Sequence, residues 1–229
     1  MSKVTFSAET INKLKKLNNI NQSIKIVPGN GVLRSVNESK TVAVETPFTE
    51  VLPRTLCIYD LREFLSIMNI IKDPVVDLSN PKYSIIQSAD GTQKIRYVDA
   101  GENVVNSSYM AALPNIPAFE LTTVVSEENL KSAMNAATSL GLAYIGFTCD
   151  GNELYLKAFD QNEGDNNETN AFSILLGTNT NKFKMFYKTD AWKVLEGECS
   201  FNISKAKVSK VVTSDMTFLM TLDAKSTFA

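Results

Sequence analysis

Residues 56–98 constrain the fold most, because LCIYDLREFLSIMNIIKDPVVDLSNPKYSIIQSADGTQKIRYV passes from helical spacing to sheet alternation with no linker between. Asp60 stands where an N-cap belongs, Glu63 follows three residues on as in a capping box, and Leu61, Phe64, Leu65, Met68 and Ile71 recur at helical intervals. Pro74 ends the helix. Residues 75–78, 83–87 and 93–98 then read as strands. The last two join across Asp90-Gly91, a dipeptide suited to a two-residue type I′ turn, in which both positions need positive φ. The unit is one helix feeding an antiparallel meander.

The same plan recurs along the chain. A strand over 3–6 leads to a helix over 7–18, with Ser7 as N-cap, Glu9 in the first turn and Ile11, Leu14 and Leu17 as its apolar stripe. Strands follow over 23–27, 32–36, 41–45 and 54–58, broken first by Pro28-Gly29-Asn30-Gly31. In the second half Ser126 caps a helix with Glu127 and Glu128 in its first turn and Leu130, Ala133, Met134, Ala137 and Leu140 facing inward, closed by Gly141. Strands over 144–149 and 153–159 flank Asp150-Gly151, and the polar tract 161–170 is a loop. Strands over 171–176 and 182–187 precede a short helix over 189–196, with Ala191, Val194 and Leu195 inward, Lys193 outward and Trp192 at the margin, placed to pack under a strand. Strands over 199–203, 207–213 and 216–222 close the chain before the tail AKSTFA. Between the halves, SSYMAALPNIPAFE over 107–120 has two prolines and no period, so it reads as an extended connector. The expected fold is α+β, with two similar domains, 1–107 and 121–229, joined by a connector over 108–120, each domain packing two helices on antiparallel sheets.

Composition narrows the chemistry. With 229 residues, 44% hydrophobic and 21% charged, the chain can bury a full core. A net charge of -2 argues against binding acidic polymers over the whole surface, while leaving room for a basic patch offset by acid elsewhere. Cys57, Cys149 and Cys199 lie far apart beside apolar residues, which predicts buried reduced thiols in a cytosolic compartment. No apolar signal core opens the chain and no run approaches the ~20 apolar residues of a membrane helix, so a soluble intracellular protein is expected. There is no histidine, no phosphate-loop or dinucleotide glycine motif, and no nucleophile elbow. Glu127/Glu128 read as helix N-terminal charge and Asp160/Glu163 as loop polarity. The expectation is a protein that is not an enzyme, with no metal and no cofactor.

What repeats instead is a set of basic or small polar residues on the helix sides away from the core: Lys13 and Lys16, Arg62 with Ser66 and Asn69, Lys131 with Asn135, and Lys193. Lys16 points opposite the stripe of its helix, with Lys13 and Lys15 on the flanks. Each face alone is an ordinary solvated surface. Their recurrence at one position of each unit points to a cationic surface that contacts phosphates without reading sequence.

IYDLREFLSIMNI with the Asp-Gly hairpin after it, the opening SAETINKLKKLNNIN and the closing LDAKST together resemble the DNA polymerase sliding clamps of T-even-type phages, over nearly the full chain. The resemblance implies the DNA clamp fold closed into a homotrimeric ring, with the polar helix faces lining a pore around double-stranded DNA. It implies a replicative DNA polymerase as partner, a clamp-loader ATPase that opens the ring, a sigma-like factor for late transcription, and action in the cytoplasm of an infected bacterial host. It also implies a pocket for apolar partner peptides, to which Tyr109, Leu113, Ile116, Phe119 and Phe228 are candidate contributors. Two other readings remain open: a structural protein of a virion with merely solvated lysines, and a hydrolase or transferase working through carboxylates and a metal.

Overall fold

The computed structural model describes residues 2–116, 118–160 and 170–228. The loop expected over 161–170 therefore lies outside the described residues except for Asn170, as does Glu163 of the Asp160/Glu163 pair. The chain forms two compact units, Met1–Leu113 and Pro114–Ala229.

In the first unit β1 (Lys3–Val4) leads to α1 (Ala8–Asn18), then β2 (Ile24–Ile26), β3 (Val32–Val36), β4 (Val42–Pro47), β5 (Leu56–Ile58) and α2 (Leu61–Ile70). The meander β6 (Pro74–Asp77), β7 (Tyr83–Ser88) and β8 (Lys94–Val98) follows, and α3 (Glu102–Val105) runs into a 3-10 turn at Asn106–Ser108. β1, β6, β7 and β8 form one antiparallel sheet in that order, while β2 pairs with β5 and β3 with β4. α1 and α2 pack side by side. Leu14, Leu17, Phe64 and Met68 are buried beneath them, and Phe64 meets Phe6 at 6.3 Å and Tyr97 at 5.5 Å, both edge-on.

The helix starts and most strands fall where the residue pattern places them, and the differences have local causes. The Asp90-Gly91 hairpin is not type I′, since Gly91 takes φ 72° while Asp90 keeps an ordinary φ. A longer loop forms because Asp90 Oδ1 accepts from the Ser88 hydroxyl (2.5 Å) and the Thr92 N–H (3.0 Å), an Asx arrangement that stabilises an ordinary turn instead. The start of the expected connector is folded: Ser108 is fully buried, donates to Val105 O at 2.8 Å and accepts from the Ser23 hydroxyl at 3.1 Å.

In the second unit β9 (Leu121–Val125) precedes α4 (Glu127–Leu140). Then come β10 (Tyr144–Asp150), β11 (Glu153–Phe159), β12 (Phe172–Thr178), β13 (Lys182–Lys188) and α5 (Thr189–Trp192). β14 (Cys199–Ser204), β15 (Val208–Val212), β16 (Thr217–Thr221) and β17 (Thr227–Phe228) complete it. One sheet runs β12-β11-β10-β13-β17, and β16, β15, β14 and β9 pair successively, all antiparallel. α5 is shorter than its pattern predicts, and Trp192, read at the helix margin and placed to pack under a strand, is fully buried against strand residues, 4.9 Å from Phe201 and 6.0 Å from Phe147 between ring centroids. β9 and β17 escape the sequence pattern, the one hidden beside the proline stretch and the other only two residues long.

Candidate nucleic-acid interface

The first helix face is set by its capping. Ser7 Oγ accepts from Thr10 N at 3.1 Å, and Glu50, 40 residues further on, accepts from both Ser7 N and the Thr10 hydroxyl at 2.8 Å. Partial burial pushes the Glu50 carboxyl up, but these hydrogen bonds outweigh it and hold the group below its usual range. Thr10, Lys13, Leu14 and Leu17 are the buried residues of α1. Lys13 therefore does not sit on the polar face: only 5% exposed, its ammonium donates to Glu9 Oε1 at 2.5 Å and to Pro47 O at 2.9 Å. A lysine on the flank of an apolar stripe has turned its ammonium inward, where Glu9 and the Pro47 carbonyl satisfy it, which corrects its reading as a phosphate contact. Lys16 is half-buried, whereas Asn12 and Lys15 are exposed. Lys15 is the cation that the helical wheel leaves on a flank and the fold puts on the surface.

On α2, Asp60 Oδ1 accepts from Arg62 N at 2.9 Å and Glu63 N at 3.1 Å, and the Glu63 amide is the main cause holding that carboxyl below its usual range. Arg62, Ser66 and Asn69 are all exposed, and the Ser66 hydroxyl is spent on Arg62 O at 2.7 Å. Arg62 reaches the other Asp60 oxygen only at 3.4 Å. α1 and α2 flank an open groove of about 710 Å³ whose rim carries Asn12, Lys15, Asn18, Arg62 and Asn69 over a floor that includes Ile11 and Leu65.

The second unit presents a counterpart between α4 and the segment after α5. Ser126 caps α4 through Asn129 N at 3.2 Å, and Gly141 ends it in the left-handed region at φ 67°, where a side chain would be strained. Lys131 and Asn135 are exposed on its outer side. Lys131 Nζ lies 2.5 Å from Glu127 Oε1, and this hydrogen bond holds the Glu127 carboxyl below its usual range. Lys193 is exposed and lies 2.6 Å from Asp190. The groove there, about 490 Å³, is lined by Lys131, Asn135 and Lys193 together with Glu127 and Glu196.

The apolar candidates divide between the units. In the first, Tyr109 lies under the Lys25 ammonium, 4.9 Å from its ring centroid, and Leu113 is half-buried. In the second, Ile116 is half-buried, Phe119 is 39% exposed, and Phe228 stacks on Phe183 at 6.0 Å. Phe228 also lines a cavity of about 400 Å³ with Met185, Lys205, Lys207, Leu222 and Ser226. Among the described residues no group of three or more His, Cys, Asp and Glu side chains could hold a metal ion, and no helix is long and apolar enough to cross a membrane. All three cysteines are free and buried, and burial pushes the Cys199 thiol up to about 11.

No protein-family model matches the chain. It is similar to the sliding clamp of Vibrio phage KVP40, 22% identical over 222 residues that cover 94% of this chain and 97% of that protein. It is also similar to the sliding clamp of Enterobacteria phage T4, 26% identical over 176 residues covering 75% and 73%. Among solved structures, A. fulgidus PCNA bound to the C-terminal region of FEN-1 superposes with a TM-score of 0.65 at 13% identity over 99% of this chain and 100% of that one. The fold is the two-domain clamp fold, and the resemblance to phage sliding clamps extends through both units.

Proposed function

We propose that this chain, a relative of the phage sliding clamps, encircles duplex DNA as a homotrimeric ring and tethers the replicative DNA polymerase to its template. The observation that carries this reading is the recurrence in both units of an exposed helix face bearing cations and amides, in a chain similar to a phage clamp over 94% of its length. A closed ring holds DNA by linkage, so phosphate contacts need only be weak, and weak salt-dependent contacts permit sliding. Lys15, Lys16, Arg62, Asn69, Lys131, Asn135 and Lys193 supply that surface, and no catalytic residue is needed.

The sheets supply a means of closure. In the first unit's four-stranded sheet one edge is the two-residue β1 and the other is β8, with Val98 72% exposed. In the second unit's five-stranded sheet one edge is the two-residue β17 and the other is β12, with Leu175 56% exposed. Pairing β8 of one copy with β12 of the next covers both long edges, and such head-to-tail contacts generate a ring when the rotation closes. The cavity at Phe228 receives apolar peptide tails of the polymerase, of a clamp-loader ATPase and of a sigma-like late-transcription factor in the infected host's cytoplasm.

The test is retention on nicked circular against linear DNA, with a matching loader and ATP, after light scattering has given the subunit number. A trimer that stays on circles in high salt and runs off linear ends supports the reading. A monomer, or a trimer that does not distinguish the two DNAs, refutes it and favours a structural protein of a viral assembly.

A further inference from the structure

We infer that the two units grip the DNA backbone unequally: the phosphate contacts concentrate in the α1/α2 groove, on Lys15 and Arg62, while the second unit's lysines are neutralised by acids of their own helices. This rests on the sliding-clamp reading and assigns the charge that such a ring would use.

The two grooves differ in sign. The α1/α2 groove is lined by two cations and no carboxylate. Lys15 takes part in no ion pair with a described residue, and its neighbours Asn12, Asn18 and Asn69 keep their side-chain amides unbonded to described residues. Arg62 is 77% exposed, and the Asp60 carboxylate that it approaches at 3.4 Å already accepts two backbone N–H groups. A guanidinium and an ammonium flanking amide donors suit a phosphodiester, the guanidinium offering its fork and the ammonium a point charge.

The second groove carries two cations and two carboxylates, Glu127 and Glu196. Lys131 is paired with Glu127 at 2.5 Å and Lys193 with Asp190 at 2.6 Å. In each pair the acid offsets part of the lysine's attraction for an approaching phosphate, whereas in the first groove Lys15 has no such acid among the described residues and Arg62 has one only at 3.4 Å. Sequence reasoning counted these lysines equally with Arg62, because a wheel records where a cation points and not what neutralises it.

The experiment measures the salt dependence of affinity for a short blunt duplex by fluorescence anisotropy, with the full-length protein and two variants. Lys15→Ala with Arg62→Ala lowers the slope of log affinity against log salt by about 0.9 for each lost phosphate contact, up to roughly 2. Glu127→Gln with Asp190→Asn does the opposite, steepening the slope by up to ~0.9 for each freed lysine. Because this second pair tests for a gain, loss of folding cannot imitate the expected result. An unchanged slope in either variant, with the parent's unfolding midpoint retained, overturns the unequal grip while leaving the clamp reading standing. A parent protein with no salt-dependent affinity and no retention on circles overturns both.

Discussion

Replacing Gly146 with alanine tests the packing behind the second unit's helix face. Gly146 sits in the middle of β10, opposite Phe186 of β13 and Lys157 of β11. An added Cβ would lie 2.1 Å from Met185 O, 2.4 Å from Phe186 Cα and 2.6 Å from Phe186 Cβ, where an ordinary contact begins at 3.4 Å. Two of these atoms are backbone, so no rotamer change relieves the overlap. Phe186 cannot retreat easily, being 3% exposed and 5.2 Å from Tyr144 and 5.3 Å from Phe159. At an unhindered strand position Gly→Ala stabilises by about 0.4–1 kcal/mol through the unfolded chain. Here overpacking costs about 1–3 kcal/mol and each ladder hydrogen bond opened about 1 kcal/mol more, so the steric effect wins. The expected net loss is roughly 3 kcal/mol. With a urea slope of about 2 kcal/mol/M, the midpoint falls by about 1.5 M. A midpoint unchanged or raised would show that β10 and β13 are not in the close register described.

Asp60→Ala removes the acceptor of two amides at the start of α2 and should cost about 1 kcal/mol, read from the same urea transition. Glu50 has a depressed folded pKa, so its contribution to holding α1 is present above the ordinary carboxylate pKa near about 4.3 and is lost as pH falls through the folded value. Urea stability measured down through that range should therefore fall less steeply in Glu50→Gln than in the parent, and parallel curves would refute the network at Ser7 and Thr10. Trp192→Ala should destabilise by about 3–5 kcal/mol, since the indole is fully buried among Phe147, Tyr187 and Phe201. Trp192 is the chain's only tryptophan, so parental emission should be blue-shifted when folded and move red on unfolding; red emission from the native state would contradict its burial.

Legibility followed the range of the interactions. Ser7, Asp60 and Ser126 were readable as caps because a cap bonds amides two or three residues away. Gly141 was readable as a stop for the same reason. Lys13 was not, because its burial depends on the Pro47 carbonyl 34 residues distant. That the indole packs under strands was readable, but its full burial depends on Phe201 of β14 and Phe147 of β10, neither adjacent in sequence. The type I′ expectation failed through a side chain, since Asp90 bonds to Ser88 and Thr92 more readily than it adopts positive φ. Lys15 could have been found by placing the apolar stripe at Thr10, Leu14 and Leu17 rather than at Ile11, a shift of one residue that turns the polar face toward it.

The same residues that make the helices form also set how strongly their outer faces attract phosphate. An acid in a first turn favours the helix through its dipole, and a lysine four residues on adds a side-chain pair. In α4 that pair is Glu127 with Lys131, both exposed, so local helix stability comes with a muted surface charge. In α1 the pair is Glu9 with Lys13, but the lysine is buried against β4, leaving Lys15 two positions on to face outward with no ion-pair partner among the described residues. Helix stability and surface charge are thus coupled in the second unit and separated in the first. If the chain works as the proposed sliding ring, this division suits it, because Lys15 and the loosely paired Arg62 can orient the duplex while the second unit's more tightly paired lysines hold it less, and contact strength can change at Lys15 or Arg62 without cost to the helices that carry them.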